Sequence, residues 1–303
     1  MDDSALRRRH RGWRIDRWSV YTLGPVVAVY AVLAVLPLFN LAVMSLNDIR
    51  WEGGKALWNT VGLAHYRALP ADMLVGVGLL NTTLFAIMAV AAEMLLGFAL
   101  ALLISRVARG RIFYQTLLML PILLPGIVIG AIWKLIYNPD FGIINQTLVL
   151  LGLTGRDWLG DPALAFASVV VVDVWHWTPF VFLLLLAALE SLPRELFEAA
   201  RVDGASAWQE LRHVIVPLMI PAFVVTLVFR LIVSFKVFDE VYLLTGGGPG
   251  TTTEVLSFTI YRRFFTEDRV GYGSAISIFA IFIVTLMVVA ALAANRRAQA
   301  TKP

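Results

Sequence analysis

Apolar positions in this chain do not alternate with polar ones; they run together. Six stretches, about Tyr21 to Leu46, Leu79 to Ile104, Phe113 to Ile136, Leu164 to Leu189, Val214 to Phe238 and Tyr272 to Ala294, are long and carry few charges. A helix needs ~20 apolar residues to cross the hydrocarbon of a bilayer, and each stretch is long enough. Backbone amides in lipid must be satisfied within the segment, and the two-residue alternation of a barrel strand is missing. The expected fold is therefore all-α, a polytopic membrane protein with six transmembrane helices. A basic segment over residues 1–20, a membrane domain over 21–295 and a short tail over 296–303 complete the organisation. The first stretch exceeds the ~7 to 15 apolar residues of a cleavable leader and runs on through Pro25 and Pro37, so it reads as an uncleaved first helix.

Charge sets the expected orientation. With the amino terminus in the cytoplasm, the inside segments hold 15 basic residues and the outside loops seven (Arg50, Lys55, Arg67, Arg156, Arg262, Arg263 and Arg269). That bias follows the positive-inside rule and puts both termini in the cytoplasm. The amino-terminal run Arg7, Arg8, Arg9, Arg11, Arg14, Arg17 reads as a headgroup-facing tail that fixes topology.

Composition narrows the chemistry. The chain of 303 residues is 59% hydrophobic and only 15% charged, leaving no room for a large soluble catalytic domain. With no cysteine and four dispersed histidines, disulfides, thiol nucleophiles and an HExxH metal pair are excluded. The formal charge of +4 is scattered beside apolar segments and forms no nucleic-acid stripe. No GxxxxGK[ST] phosphate loop is present, so nucleotide hydrolysis by that route belongs to another chain.

The segment between the fourth and fifth stretches, residues 191–217, is amphipathic. Pro193 precedes strong helix formers, Leu196, Ala199 and Ala200 fall at i, i+3 and i+4, Asp203-Gly204 signals a turn, and Ala205, Trp208, Leu211 and Ile215 continue an apolar face. The pattern predicts helix, turn, helix. Periodicity alone leaves two roles open: docking a cytosolic partner, or lying against lipid headgroups.

Spacing adds a resemblance. Glu198-Ala199-Ala200, three residues, Gly204, nine residues, then Val214-Ile215-Val216-Pro217 resembles the EAA loop of ABC importer permeases, departing only by valine at 214 and 216. After the fifth stretch, Phe238-Asp239, Leu244-Thr245, Gly247-Gly248-Pro249 and Thr251 are similar to the maltose and glycerol-phosphate branch of binding-protein-dependent sugar permeases. The resemblance implies a type I ABC importer permease fold in a bacterial inner membrane. It also implies a second related permease subunit, two cytosolic ATPase subunits that bind ATP and Mg, and an extracytoplasmic sugar-binding protein. On this reading no cofactor is bound by this chain and no catalytic or metal residue is assigned. Glu198, Ala199, Ala200, Asp203 and Gly204 would couple to the ATPase, and Gly246, Gly247, Gly248 and Pro249 would face the binding protein.

Ionisable and aromatic residues inside spans mark candidate substrate contacts. Asp173, Trp177 and Phe180 fall at i, i+4 and i+7 beside Trp175, a mixture of rings and carboxylate suited to a sugar. Pro179 is expected to kink or break that helix. Arg230 and Ser234 share a face in the fifth stretch, and Lys236 is spaced to pair with Asp239 or Glu240. If either cation faced the pathway, the cargo would be an anionic sugar derivative; the competing account is an ion pair of Arg230 with Asp173 or Asp239. Glu93 is equally consistent with a contact between helices or with the pathway, and Lys134 reads as snorkelling. An ion-coupled secondary carrier is the alternative function, but it has no use for the EAA spacing.

Overall fold

Long apolar helices dominate the computed structural model, which describes residues 17–107 and 109–300. The arginines from Arg7 to Arg14 and the end of the tail, residues 301–303, lie outside the described residues. Helix α1 (Arg17–Tyr30) passes through a π-turn (Ala31–Val35) into α2 (Leu36–Ser45), making the first span. A two-stranded antiparallel hairpin follows, β1 (Asn47–Glu52) and β2 (Lys55–Thr60), with Ile49 opposite Trp58. This is the one departure from an all-α chain among the described residues. Short α3 (Ala64–Ala68) leads to α4 (Met73–Ser105), whose first turn is capped by Asp72 accepting from Leu74 N at 2.9 Å.

The third apolar stretch is not one helix. It divides into α5 (Arg111–Met119), a 3-10 turn (Pro121–Leu123) and α6 (Gly126–Ile136), because Pro121 and Pro125 each lack the amide a helix needs and Leu124, ahead of Pro125, is extended, whereas Leu120, ahead of Pro121, stays helical. Helix α7 (Ile143–Leu150) then precedes α8 (Pro162–Glu190), which runs unbroken through Pro179. No break occurs at Pro179; α8 is the most deeply packed span, with 61% of its most apolar stretch inside the protein, and continues as helix past it.

Helix α9 (Arg194–Val202) and α10 (Ala207–Glu210) form the connection to α11 (Val216–Ser234), and α10 joins α11 through a π-turn so that one apolar span runs from Ala207 to Ser234. The chain leaves this span earlier than the apolar run suggests, so Lys236 to Phe238 stand outside it. Helices α12 (Asp239–Leu244) and α13 (Leu256–Tyr261) bracket the glycine-rich loop, and α14 (Val270–Ala300) is the last span, extending as helix into the expected tail.

Helices α4 and α8 make the most extensive pairing. Gly97 permits it: a Cβ there would lie 2.7 Å from Val181 Cγ1 and 2.9 Å from the amide nitrogen of Phe182. Two apolar clusters lie along this pair, one around Phe85, Ala89, Val169 and Val172 and the other around Ala101, Val181, Phe182 and Met219. Glu93 and Asp173 fall between them in both helices. The α1–α2 span has none of its apolar window buried and meets the rest chiefly where α2 packs on α14, leaving its surface to lipid or another subunit.

Candidate functional site

At the level between the two apolar clusters, three spans each contribute a charge. Arg230 of α11 donates from Nε to Glu93 Oε2 at 2.5 Å and from Nη2 to Glu93 Oε1 at 2.6 Å, and Nη2 also donates to Asp173 Oδ2 at 2.8 Å. Removing such charges from water costs several kcal/mol per ion, which bidentate geometry and a second carboxylate offset here. The Trp177 ring covers the guanidinium, 4.6 Å from its carbon, and packs through Phe180 onto Phe229. Arg230 is fully buried and Ser234 nearly so. The guanidinium is therefore neutralised by Glu93 and Asp173, which removes it as a free cation for an anionic cargo. Of the two pairings weighed for Arg230, Asp173 is realised and Asp239 is not, and the stronger partner is Glu93.

Beside this cluster opens a cavity. Asp173, His176 and Trp177 of α8 form one wall; Lys236 and Phe238, beyond the end of α11, and Asp239 and Glu240 of α12 form the other. His176 Nδ1 lies 3.3 Å from Glu240 Oε1, tying α8 to α12. Burial, then the neighbouring Glu240, pushes the Asp239 carboxyl above its ordinary range. Lys236 lines the cavity but makes no ion pair with Asp239 or Glu240, because the chain leaves helical geometry between them. Trp175 points elsewhere, onto an apolar groove with Leu96, Leu118 and Pro121, its ring 5.6 Å from that of Trp133. The cavity therefore brings together Asp173, Trp177, Lys236 and Asp239 of the expected set. Arg230 and Ser234 stand behind its wall, and Phe180 packs beside Trp177. Sequence reasoning did not find the His176–Glu240 pair; it offered Glu240 to Lys236 by spacing and left His176, one turn from Asp173, without a partner.

The glycine-rich loop is tied down from several sides. Gly246 and Gly247 take positive φ, and the amides of Gly246 and Gly248 bond to Val241 O and Thr245 O. Thr253 Oγ1 donates to Gly248 O at 2.7 Å, ahead of Pro249, and Asn81 Nδ2 donates to the carbonyls of Thr251, Thr252 and Glu254. The fully buried Glu254 lies under Gly247 and accepts from Arg262 at 2.8 Å; burial raises its carboxyl above the usual range. Bonded amides above a carboxylate make a poor phosphate cradle.

At the other end of α4 lies the 191–217 connection. Helix α9 ends at Gly204 with φ of +73°, where Ala205 N donates to Ala200 O, and Ser206 with Gln209 forms a reciprocal cap on α10. Phe197 packs inward on the apolar cluster of Ala101 and Leu185. Glu198, Ala199 and Asp203 are exposed, and Ala200 is half-buried. Leu196, Val202 and Trp208 are also open, Val202 at 87% of its surface. Glu198 borders a cleft shared with Arg106, Arg194 and Phe197, flanked by the Arg111–Glu190 ion pair and by Arg201 3.8 Å from Glu210. The glycine-rich loop, held by Asn81, and this connection, beside Ser105, thus lie toward opposite ends of α4, ~35 Å apart along its axis.

Comparison with known proteins agrees with this layout. A family model described as the binding-protein-dependent transport system inner membrane component matches residues 93–299. A trehalose/maltose transport system permease protein of Thermococcus litoralis is 34% identical over 273 residues, covering 90% of this chain and 91% of the relative. A sulfoquinovosyl glycerol transport system permease protein of Agrobacterium fabrum is 31% identical, covering 90% and 88%. Among solved structures, a chain of the bacterial alginate ABC transporter in complex with alginate pentasaccharide-bound periplasmic protein superposes with a TM-score of 0.81 at 25% identity, over 92% of this chain and 94% of that one. With the fold, the EAA-type connection and these relatives in agreement, the chain belongs to the binding-protein-dependent ABC importer permeases, as an inner membrane component.

Proposed function

We propose that this chain forms one half of the translocation pathway of an ATP-driven importer for a sugar or sugar derivative. A second related permease subunit supplies the other half, two cytosolic ATPase subunits hydrolyse ATP with Mg, and an extracytoplasmic binding protein delivers the cargo. Both termini and the 191–217 connection face the cytoplasm, and Gly246 to Pro249 face the binding protein. Helix α9 docks in a groove of the ATPase through Glu198, Ala199, Ala200 and Asp203, while Gly204 shapes the turn that passes its movement into α11. Nucleotide binding favours one of two membrane arrangements by differential contact with this helix. The cavity of Asp173, Trp177, Lys236 and Asp239 lies on the cargo's route: the indole offers a face for a pyranose ring, and the carboxylates accept hydroxyl hydrogens.

The observation that carries this reading is the uncovered surface of α9 and α10 around a tightly built turn, with Leu196, Val202 and Trp208 in the open. The test is Gly204→Val in the reconstituted complex. A β-branched residue is strained at φ +73°, so uptake and cargo-stimulated ATP hydrolysis fall by about tenfold or more while the subunits still co-purify. Unchanged uptake refutes the coupling role. No specific observation favours the ion-coupled carrier.

A further inference from the structure

The hairpin Asn47–Thr60 is unaccounted for by the transport reading. It begins one residue after Leu46, where the first span ends, and it closes at the same place, since the amides of Val61 and Gly62 both donate to Leu46 O at 3.0 Å. Both ends are thus fixed at the boundary of the bilayer.

Its two faces differ in chemistry. The pairing puts Asn47, Ile49, Trp51, Ala56, Trp58 and Thr60 on one face and Asp48, Arg50, Glu52, Lys55, Leu57 and Asn59 on the other. Ile49 is buried and anchors the first face to the protein, while Trp51 and Trp58 stand 58% and 49% exposed on it. The second face carries four charges, with Arg50 bonded to Asp48 at 3.0 Å. An indole with an apolar body and one N–H donor is favoured at the level of lipid headgroups. A partner that came and went would leave two tryptophans in water between visits, whereas a bilayer covers them continuously. A six-residue strand reaches ~20 Å, but each interfacial layer is only ~5 to 7 Å deep, so the tryptophans stay in that layer only if the hairpin lies along the surface.

We propose that this hairpin lies along the membrane surface where α2 emerges, with the Trp51–Trp58 face set into the boundary between headgroups and acyl chains and the charged face turned to water. The occupant of the face is lipid.

The chain has no cysteine, so single labels are clean. Ala56→Cys places a bimane on the tryptophan face and Lys55→Cys places one on the charged face, in the full chain in nanodiscs of phosphatidylcholine and phosphatidylglycerol. A doxyl group near the glycerol end of the acyl chain quenches the Ala56→Cys label about twofold or more over the Lys55→Cys label, and aqueous iodide shows the reverse order. Independently, Trp51→Phe with Trp58→Phe lowers the fraction of tryptophan emission quenched by brominated lipid. Equal doxyl quenching at both labels overturns the proposal. So does an Ala56→Cys label open to iodide in nanodiscs that a binding protein then shields, or an unchanged brominated-lipid fraction in the double variant.

Discussion

Arg230 and Glu93, 137 residues apart, meet through two parallel hydrogen bonds of 2.5 and 2.6 Å in a place where neither side chain is exposed. With Asp173 as a third member, the contact ties α4, α8 and α11 together between two apolar clusters. Replacing Arg230 with Met leaves two buried carboxylates without their counter-ion, a loss of ~3 to 5 kcal/mol. A large fall in melting temperature in detergent is the expected outcome. Adding Glu93→Gln and Asp173→Asn to the same chain recovers part of it. A variant lacking Arg230 that melts like the parent contradicts the pairing.

A second clasp stands where α4 and α14 begin. Asp72 accepts from Arg263 at 2.8 and 3.0 Å, from the Tyr272 hydroxyl at 3.0 Å and from Leu74 N. Burial pushes its carboxyl up, but the Tyr272 hydroxyl, the Arg263 guanidinium and the backbone amides together hold it below the usual range. A depressed folded-state pKa stabilises the fold above the unfolded value near ~3.9, and the contribution disappears as pH falls through the lower folded value. Below about pH 4 the parent therefore loses melting temperature more steeply than Asp72→Asn, which keeps a capping oxygen but carries no charge. At neutral pH, Asp72→Ala loses the cap as well, ~1 kcal/mol.

Gly97 sets the distance between α4 and α8. With Val181 Cγ1 only 2.7 Å from where a Cβ would stand, Gly97→Val forces the helices apart and costs about 1 to 3 kcal/mol. Gly76, on the same helix with open space around it, serves as control and tolerates alanine far better. Thermal unfolding of the two variants side by side is the measurement.

The two tryptophans of α8 separate pathway from packing. Trp177 borders the cavity and Trp175 the apolar groove. In proteoliposomes containing all subunits, Trp177→Ala lowers the uptake rate at saturating loaded binding protein, while Trp175→Leu leaves it within about twofold, since its groove needs only an apolar filler. Equal effects at both positions argue against the cavity as the cargo's route.

The approximate course of the spans was legible because uninterrupted apolar runs have few physical solutions, and the helix-turn-helix of 194–210 because Pro193 and Asp203-Gly204 carry local start and turn chemistry; the Ser206–Gln209 cap that fixes α10 was not read from the sequence. The break at Pro121 and Pro125 had a signal, two prolines four residues apart, but the surrounding apolar run masked it. The hairpin had one too, in Gly53-Gly54 between six-residue strands, overshadowed by the far stronger helical pattern on either side. That a mid-span charge needs a partner was evident from the cost of burying it. That Arg230 chooses Glu93 was not, because local periodicity carries no information across 137 residues. The same holds for His176 with Glu240, which only the return of α12 against α8 brings together.

The most direct test of the coupling claim places a cysteine at exposed Ala199 in this otherwise cysteine-free chain, opposite single cysteines in the groove of the partner ATPase. Oxidative cross-linking in native membranes is then followed together with ATP hydrolysis stimulated by loaded binding protein. A disulfide between Ala199→Cys and the ATPase, with stimulation abolished on cross-linking and restored by reductant, is the predicted result. Labelling of that cysteine by a membrane-impermeant thiol reagent from the outer face, with no ATPase adduct, would contradict it.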